Sequence, residues 1–280
     1  MSTPHPPREN FDKPTAARVY HGLNQGHSNY AIDRTFIARA VQICPFLPDI
    51  AKQNRGFLLR AARSMAEAGI DQFLDIGAGV PDPDLEKDVH RVVHEVNPDA
   101  VVVYADNDYE ALVSWLKLLQ GNNKATAISG DLRDPESIVD NAAVRSALDF
   151  DRPVGLLVVA VLHFVPDEDE PHELIRRYLD MLSPGSYFAA SHVSAEDLPS
   201  PEKEQLEALK EFYSTTANPA ILRSRAEFRR FFGGLEFISP EPADDTRDGV
   251  AYAADWRAIE RVAADDPARP SMLAAVGRKP

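Results

Sequence analysis

The sequence predicts an open, doubly wound α/β sheet, and three features of it carry that prediction. Short apolar runs at 72–76, 101–105, 125–129, 154–161 and 187–191 alternate with stretches of helical periodicity. Runs such as Leu156-Leu157-Val158-Val159 are apolar at every position, the pattern of strands buried on both faces of a parallel sheet. A chain of 280 residues, 44% hydrophobic and 26% charged, has globular composition and enough length for a large core.

The elements follow in order. Pro4, Pro6, Pro7 and Pro14 mark residues 1–14 as a disordered lead-in. Two helical patterns come next. One covers about 30–43 and is closed by Pro45 and Pro48. The other covers 49–68, where Ile50, Phe57, Leu58 and Met65 recur near helical spacing and Gly69 stands at the stop. Residues 15–70 are therefore expected to form an N-terminal helical cap, and 71–280 the sheet-bearing body. Within the body, Leu112, Trp115, Leu116 and Leu119 make one helical stripe, and Leu174, Ile175, Tyr178, Leu179 and Leu182 another. Asp134-Pro135-Glu136 supplies an N-cap, an N1 proline and a first-turn acid. A helical insertion is expected at about 200–232, its second helix opened by a capping box of Ser224 and Glu227. A strand at 236–239, an acidic irregular stretch from 241 and a last strand at 272–277 complete the chain.

Charge narrows the function. The net charge of −14 repels phosphate backbones and argues against general nucleic-acid binding. Residues 1–63 nevertheless carry +5, which leaves −19 on the rest. Either a basic arm docks on an acidic body, or some of its bases meet an anionic ligand. The single cysteine, Cys44, is expected to be a packed residue and cannot close an internal disulfide. With no signal-type start, the expectation is a cytoplasmic protein. The apolar stretch 154–165 is interrupted by His163 and is shorter than the roughly 20 residues a bilayer requires.

In open α/β sheets ligands bind beyond the carboxyl ends of the strands. After the first strand stands Asp75-Ile76-Gly77-Ala78-Gly79-Val80-Pro81-Asp82, where two glycines permit a tight turn. A dinucleotide fingerprint requires a third glycine where Asp82 follows Pro81, which disfavours a nicotinamide or flavin. After the second strand, Asp106-Asn107-Asp108 offers an acid suited to ribose hydroxyls. After the third, Gly130-Asp131-Leu132-Arg133 offers an acceptor and an apolar side chain suited to an adenine. After the fourth stands Val161-Leu162-His163-Phe164. Any one of these is ordinary turn chemistry; all four in sheet order make a stronger signal.

In these segments, together with Ala17-Arg18-Val19-Tyr20, Asn54-Arg55-Gly56-Phe57-Leu58, Leu182-Ser183-Pro184-Gly185-Ser186-Tyr187 and Leu222-Arg223-Ser224-Arg225, the chain resembles the class I S-adenosylmethionine-dependent methyltransferases. More narrowly it resembles an actinobacterial family of these enzymes whose substrates are mostly unassigned. The resemblance implies a Rossmann-like sheet of seven strands, the last antiparallel, with the N-terminal helices capping the cofactor S-adenosylmethionine. It implies that Asp75, Gly77, Ala78 and Gly79 flank the methionine part, that Asp106 holds the ribose, and that Asn107, Asp131 and Leu132 frame the adenine. Ala160, Val161 and His163 would line the floor beside the sulfonium. Arg18 and Tyr20 are candidates for clamping the cofactor from the cap, with packing inside the cap as the other reading. The chain departs from relatives in its first cap motif, where His21 replaces an Asp, Gln25 a Gly and His27-Ser28 a Lys-Asp pair.

Methyl transfer from a sulfonium needs orientation and a water-poor cleft rather than a metal or a covalent nucleophile. His163 is the candidate general base for an acceptor that must lose a proton; His21, His27 and His192 are weaker candidates. Tyr30, Phe164, His192 and Tyr213 are expected to bind the acceptor, with Phe228 and Trp256 as further wall candidates. His90 and His94 have the spacing of a zinc pair, but Arg91-Val92-Val93 lies between them without a glutamate, and no metal is expected. An Asp-Pro-Pro-Tyr or Asn-Pro-Pro-Tyr motif is missing after the fourth strand, which speaks against DNA methylation. The expected function is methyl transfer to a small-molecule acceptor in secondary metabolism, by a monomer or homodimer. The alternatives are a catalytically silent cofactor-binding regulator, or an enzyme that uses the sulfonium without methyl transfer.

Overall fold

The computed structural model describes residues 12–81, 88–240 and 249–280. Three helices, α1 (Ala16–Leu23), α2 (Ala31–Ile43) and α3 (Leu47–Glu67), lead into β1 (Gln72–Ile76). Then follow α4 (Val89–Val96), β2 (Val101–Asp106), α5 (Tyr109–Leu118), β3 (Ala125–Ser129), α6 (Pro135–Val139), α7 (Ala142–Ala147) and β4 (Gly155–Val158). The remaining elements are α8 (Pro171–Met181), β5 (Tyr187–Val193), α9 (Glu202–Tyr213), α10 (Arg225–Arg229), β6 (Glu236–Phe237), β7 (Ala251–Tyr252) and β8 (Met272–Arg278).

The strands form one sheet in the order β3-β2-β1-β4-β5-β8-β6. β1 to β5 pair in parallel, and β8 runs antiparallel to β5 from Tyr187–Arg278 to Val193–Met272. The topological switch lies between β1 and β4, where sequence order reverses across the sheet. Alternation along the strands divides the core by face. Phe73, Val102, Tyr104, Leu157 and Ala189 pack with α3, α4, α5 and α9 on one side. Leu74, Val103, Ile128, Leu156, Val158 and Phe188 pack with α6, α7, α8 and α10 on the other. The sheet is thus buried on both faces, as the uninterrupted apolar runs predict.

Some details differ from expectation. The sheet has an eighth strand: β7, two residues from the stretch read as irregular, pairs with Leu273 and Ala274, so β6 and β7 share the outer edge of β8. Two residues are too few for any periodicity to register. The expected strand at 154–161 pairs only as far as Val158. Ala160 takes a left-handed backbone (φ 59°), and Leu162–Phe164 form a 3-10 turn. The run stays apolar because Val159 and Leu162 are buried, not because they pair. In the 112–119 stripe Trp115 and Leu119 are buried, but Leu116 is 52% exposed. α1, unmarked by periodicity, starts at Thr15, whose hydroxyl accepts from the Arg18 N–H. Gly69 ends α3 in a left-handed conformation (φ 94°), and both halves of the Ser224–Glu227 capping box are formed. Most of the lead-in 1–14, the loop positions 82–87 and the acidic segment 241–248 lie outside the described residues.

Candidate active site

The loop after β1 is shaped by two left-handed glycines. A Cβ on Gly77 (φ 72°) would stand 2.2 Å from Val161 Cγ2, so the first turn packs directly against the loop after β4. Gly79 (φ 67°) faces open space, its N–H donating to Asp106 Oδ2 (2.8 Å) and its carbonyl accepting from Trp115 Nε1 (2.8 Å). Trp115 is stacked 3.7 Å from the buried Tyr104 ring. The apolar face of α5 therefore fixes the turn that a ligand at the strand ends would meet. The second Asp106 oxygen accepts the Asp108 N–H (2.8 Å). After β4, the Ala160 N–H donates to Ser191 Oγ (2.9 Å), which holds the left-handed residue at the strand end. Backbone strain of this kind concentrates at functional sites.

These loops open into a cleft of about 550 Å³ between the strand ends, the cap and α9. Its wall includes Asp75, Gly77, Ala78, Gly79, Asp106, Asn107, Asp131, Leu132, Ala160, Val161, His163, Phe164, Arg18, Tyr20, Tyr30 and Tyr213. Asp75 is 3% exposed and its carboxylate receives no hydrogen bond from the described residues. Burial pushes its pKa up to about 7, opposed by Arg55 and reinforced by the nearby Asp106 and Asp88. Asp106 is raised to about 6, mainly by burial, against the backbone N–H groups it accepts. Burial also acts on Asp131, but the Arg133 guanidinium, which bridges both its oxygens, brings it below its ordinary value. Asn107 Nδ2 donates to Asp131 as well (3.2 Å), so those two residues form one polar unit at the end of β3.

The cap residues are engaged differently from a simple ligand clamp. Arg18, 2% exposed, donates from Nε to Asp33 (2.7 Å), lies over the Tyr30 ring at 5.0 Å and comes within 3.9 Å of Asp108. Tyr20 donates to the Ala51 carbonyl and accepts from Asn54. Both touch the cleft while serving as joints of the cap. The Tyr30 hydroxyl donates to Glu110 at the start of α5. His21 bridges α1 to the β1 loop, Nδ1–H donating to the Val80 carbonyl and Nε2 accepting the Ser28 N–H. With Arg55 paired to Asp88 and Arg63 to Glu95, much of the +5 cap charge is spent on acids of the body. This favours the docked-arm reading of the charge split.

Beyond the β4 loop the cleft becomes apolar, walled by Leu23, Leu47, Ile50, Phe164, Leu206, Leu209, Tyr213 and Leu222. Rings run on from His163 to Phe164 (4.3 Å) and from Phe164 to Tyr213 (6.1 Å). His163 is buried and its pKa is held well below the usual imidazole value by burial, then by His192 and Arg223. A neutral ring that resists a second proton is a poor general base, which weakens that expectation. His192 does not reach the cleft wall. It is fully buried, donates from Nδ1 to the Val193 carbonyl and accepts at Nε2 from Arg223 (3.0 Å). His27 is exposed and also stands apart from the cleft, and Phe228 and Trp256 are packed in the two cores.

A family model described as S-adenosyl methyltransferase matches residues 2–280. The chain belongs to this family. Its cofactor is S-adenosylmethionine. Two crystal structures from actinobacteria resemble the chain over nearly all its length. One is of a candidate methyltransferase from Thermobifida fusca (35% identity, TM-score 0.86, 96% of each chain covered). The other is of a DUF574-family protein from Streptomyces avermitilis (33% identity, TM-score 0.83, 96% of this chain and 98% of the other). A comparison with curated proteins gives no match.

In this methyltransferase one buried residue to which sequence reasoning gave no role makes several contacts beside the cleft. Arg223, 4% exposed, donates to the Leu162 and Val165 carbonyls (3.0 Å each) and to His192, and pairs with Asp167. It braces the turn that carries His163 and Phe164. The only signal was its place in the Leu222-Arg223-Ser224-Arg225 segment. His90 and His94 are spent elsewhere: Nδ1 of His90 meets the Tyr104 hydroxyl (2.8 Å) and Nε2 of His94 the Ala100 carbonyl (2.9 Å). Cys44 is buried, its thiol pushed up to about 12 by burial. Among the described residues no cluster of His, Cys, Asp or Glu is placed to hold a metal ion, and no helix is long and apolar enough to cross a membrane.

Proposed function

We propose that this methyltransferase acts on a small, largely apolar aromatic acceptor, in secondary metabolism. The observation that carries the reading is the continuity of one cleft. Polar strand-end loops suited to the cofactor open, past Ala160 and His163, into a lobe of aliphatic and aromatic side chains. A cleft of this volume and character suits small molecules.

The residues present fit the cofactor. Asp75 is a buried carboxylate without a hydrogen-bond donor, set to face a cationic group, and the space where a Gly79 Cβ would stand is open. On this reading Asp75, Gly77, Ala78 and Gly79 hold the methionine part and Asp106 the ribose. Asn107, Asp131 and Leu132 hold the adenine. Arg18 and Tyr20 support the site from the cap, while Tyr30, Phe164 and Tyr213 face the acceptor. When bound, S-adenosylmethionine supplies an electrophilic methyl group on a sulfonium. The chain's own part is to orient both partners and to exclude water, which the cap and the apolar lobe do together.

Isothermal titration with S-adenosylmethionine and S-adenosylhomocysteine tests the cofactor site. Asp106→Ala is expected to weaken both about tenfold or more, since it removes charge-assisted hydrogen bonds. Unchanged affinity, or no binding at millimolar ligand, overturns the assignment. Incubation of the enzyme and methyl-labelled cofactor with cell extract should yield a labelled small apolar product and S-adenosylhomocysteine. Release of methylthioadenosine would instead indicate use of the sulfonium without methyl transfer, and no turnover a silent binding protein.

A further inference from the structure

The two ring nitrogens of His163 have different surroundings. Nδ1 is buried without a hydrogen-bonding partner, which leaves Nε2 as the nitrogen that meets the cleft His163 lines. A buried N–H without an acceptor is rarer and costlier than a buried acceptor without a donor. The ring proton therefore belongs on Nε2, directed into the cleft. The ionisable groups around the ring are His192 and Arg223, with Asp167 on the far side of Arg223. His192 is neutral, its Nε2 taken by Arg223 and its pKa lowered to about 3 by burial. The guanidinium behind the pair opposes any second proton on His163.

The acceptor lobe offers donors but no base. Every carboxylate on the cleft wall, namely Asp75, Asp106, Asp108, Glu110 and Asp131, stands at the carboxyl end of β1 or β2, on the loop after β2 or β3, or at the start of α5. The polar side chains of α9 and the segment after it that line the cleft are Lys210, whose ammonium pairs with Glu211, Tyr213 and Asn218. Lys210 stands one turn before Tyr213, and the Tyr213 hydroxyl has no partner among the described residues.

We propose that His163 is a hydrogen-bond donor to the acceptor rather than its base, and that the cleft takes an aromatic carboxylate, whose nucleophilic oxygen is already ionised. The proposal rests on the methyl-transfer reading above. A carboxylate lone pair forms the O–CH3 bond as the S–CH3 bond breaks, and that bonding pair leaves on sulfur as a neutral thioether. No proton is released, and His163 keeps its own.

The test uses the full-length protein saturated with S-adenosylhomocysteine, titrated with 2-naphthoate, 2-naphthol and 2-naphthylamine. Naphthoate is expected to bind about tenfold or more tighter than the other two, the worth of a hydrogen bond to a charged group. His163→Gln, whose amide can still donate, is expected to keep that preference, and His163→Phe to lose it. In wild-type protein labelled with ¹⁵N-histidine, Nε2 of His163 should resonate as a protonated, pyrrole-type nitrogen and Nδ1 as a pyridine-type one, unchanged from about pH 5.5 to 8. The opposite tautomer, a preference for naphthol or the amine, or a His163→Phe protein that still prefers naphthoate would overturn the proposal. Should His163→Phe fail to fold, the tautomer measurement on the wild type decides. Failure to bind S-adenosylhomocysteine overturns the methyl-transfer reading instead, so the two failures are distinguishable.

Discussion

Asp75 shows how burial at one position ties the stability of the fold to pH. Its folded-state pKa of about 7 lies above the ordinary carboxylate value, so the folded chain holds this proton more tightly than the unfolded one. The contribution to stability is full below the ordinary carboxylate range and is lost as pH rises through about 7. Asp75→Asn should therefore stabilise the cofactor-free protein at pH 8, by about 2 to 4 kcal/mol, and do little at pH 4. Melting curves at the two pH values check this, and equal shifts at both would refute it. Gln25 makes a smaller case. It occupies a left-handed backbone position (φ 68°), and its side chain is exposed. Gln25→Gly should stabilise the fold by about 0.5 to 1 kcal/mol in denaturant titrations. Of the departures in the cap motif, this is a tolerated backbone cost, while His21 has taken up specific hydrogen bonds of its own.

At the scale of elements, what could be read from the sequence was what periodicity and caps encode. The five parallel strands, α2, α3, α8 and the capped start of α10 follow from alternation, stripes and the Ser224–Glu227 pair. The loops at the strand ends could be ordered because Asp106, Asp131 and His163 each follow an apolar run and Asp75 stands near the end of one. Tertiary partners could not be read. Nothing local distinguishes Arg223, which spans two turns and a histidine, or says that His192, four strand positions beyond Phe188, ends beneath the cleft rather than in it. The length of β4 was misjudged for a related reason. Apolarity reports burial, and the bend at Ala160 is set by the Ser191 hydroxyl on a neighbouring strand. α1 and β7 were missed because eight residues and two residues offer too little pattern.

Across the whole molecule, the charge split and the cap describe one arrangement. The basic N-terminal helices are tied to the acidic body through Arg18 near Asp108, Arg55 with Asp88, and Arg63 with Glu95. Pairs as exposed as Arg63–Glu95 add little stability, and the buried Arg18–Asp33 pair joins α1 to α2 within the cap. The cap's contacts with the body also fall beside the loops after β1 and β2: His21 on Val80, Arg18 near Asp108, Tyr30 on Glu110. Those same loops form the polar end of the cleft, and its apolar wall comes from α1, α3, the loop after β4 and α9. An acceptor held against that wall is expected to close the cleft over a cofactor at its polar end. Turnover should therefore be ordered, with the cofactor first on and its demethylated product last off. S-adenosylhomocysteine would then inhibit competitively against S-adenosylmethionine but not against the acceptor. The docking of three N-terminal helices would thus be legible in steady-state kinetics, as the sequence in which two substrates are admitted.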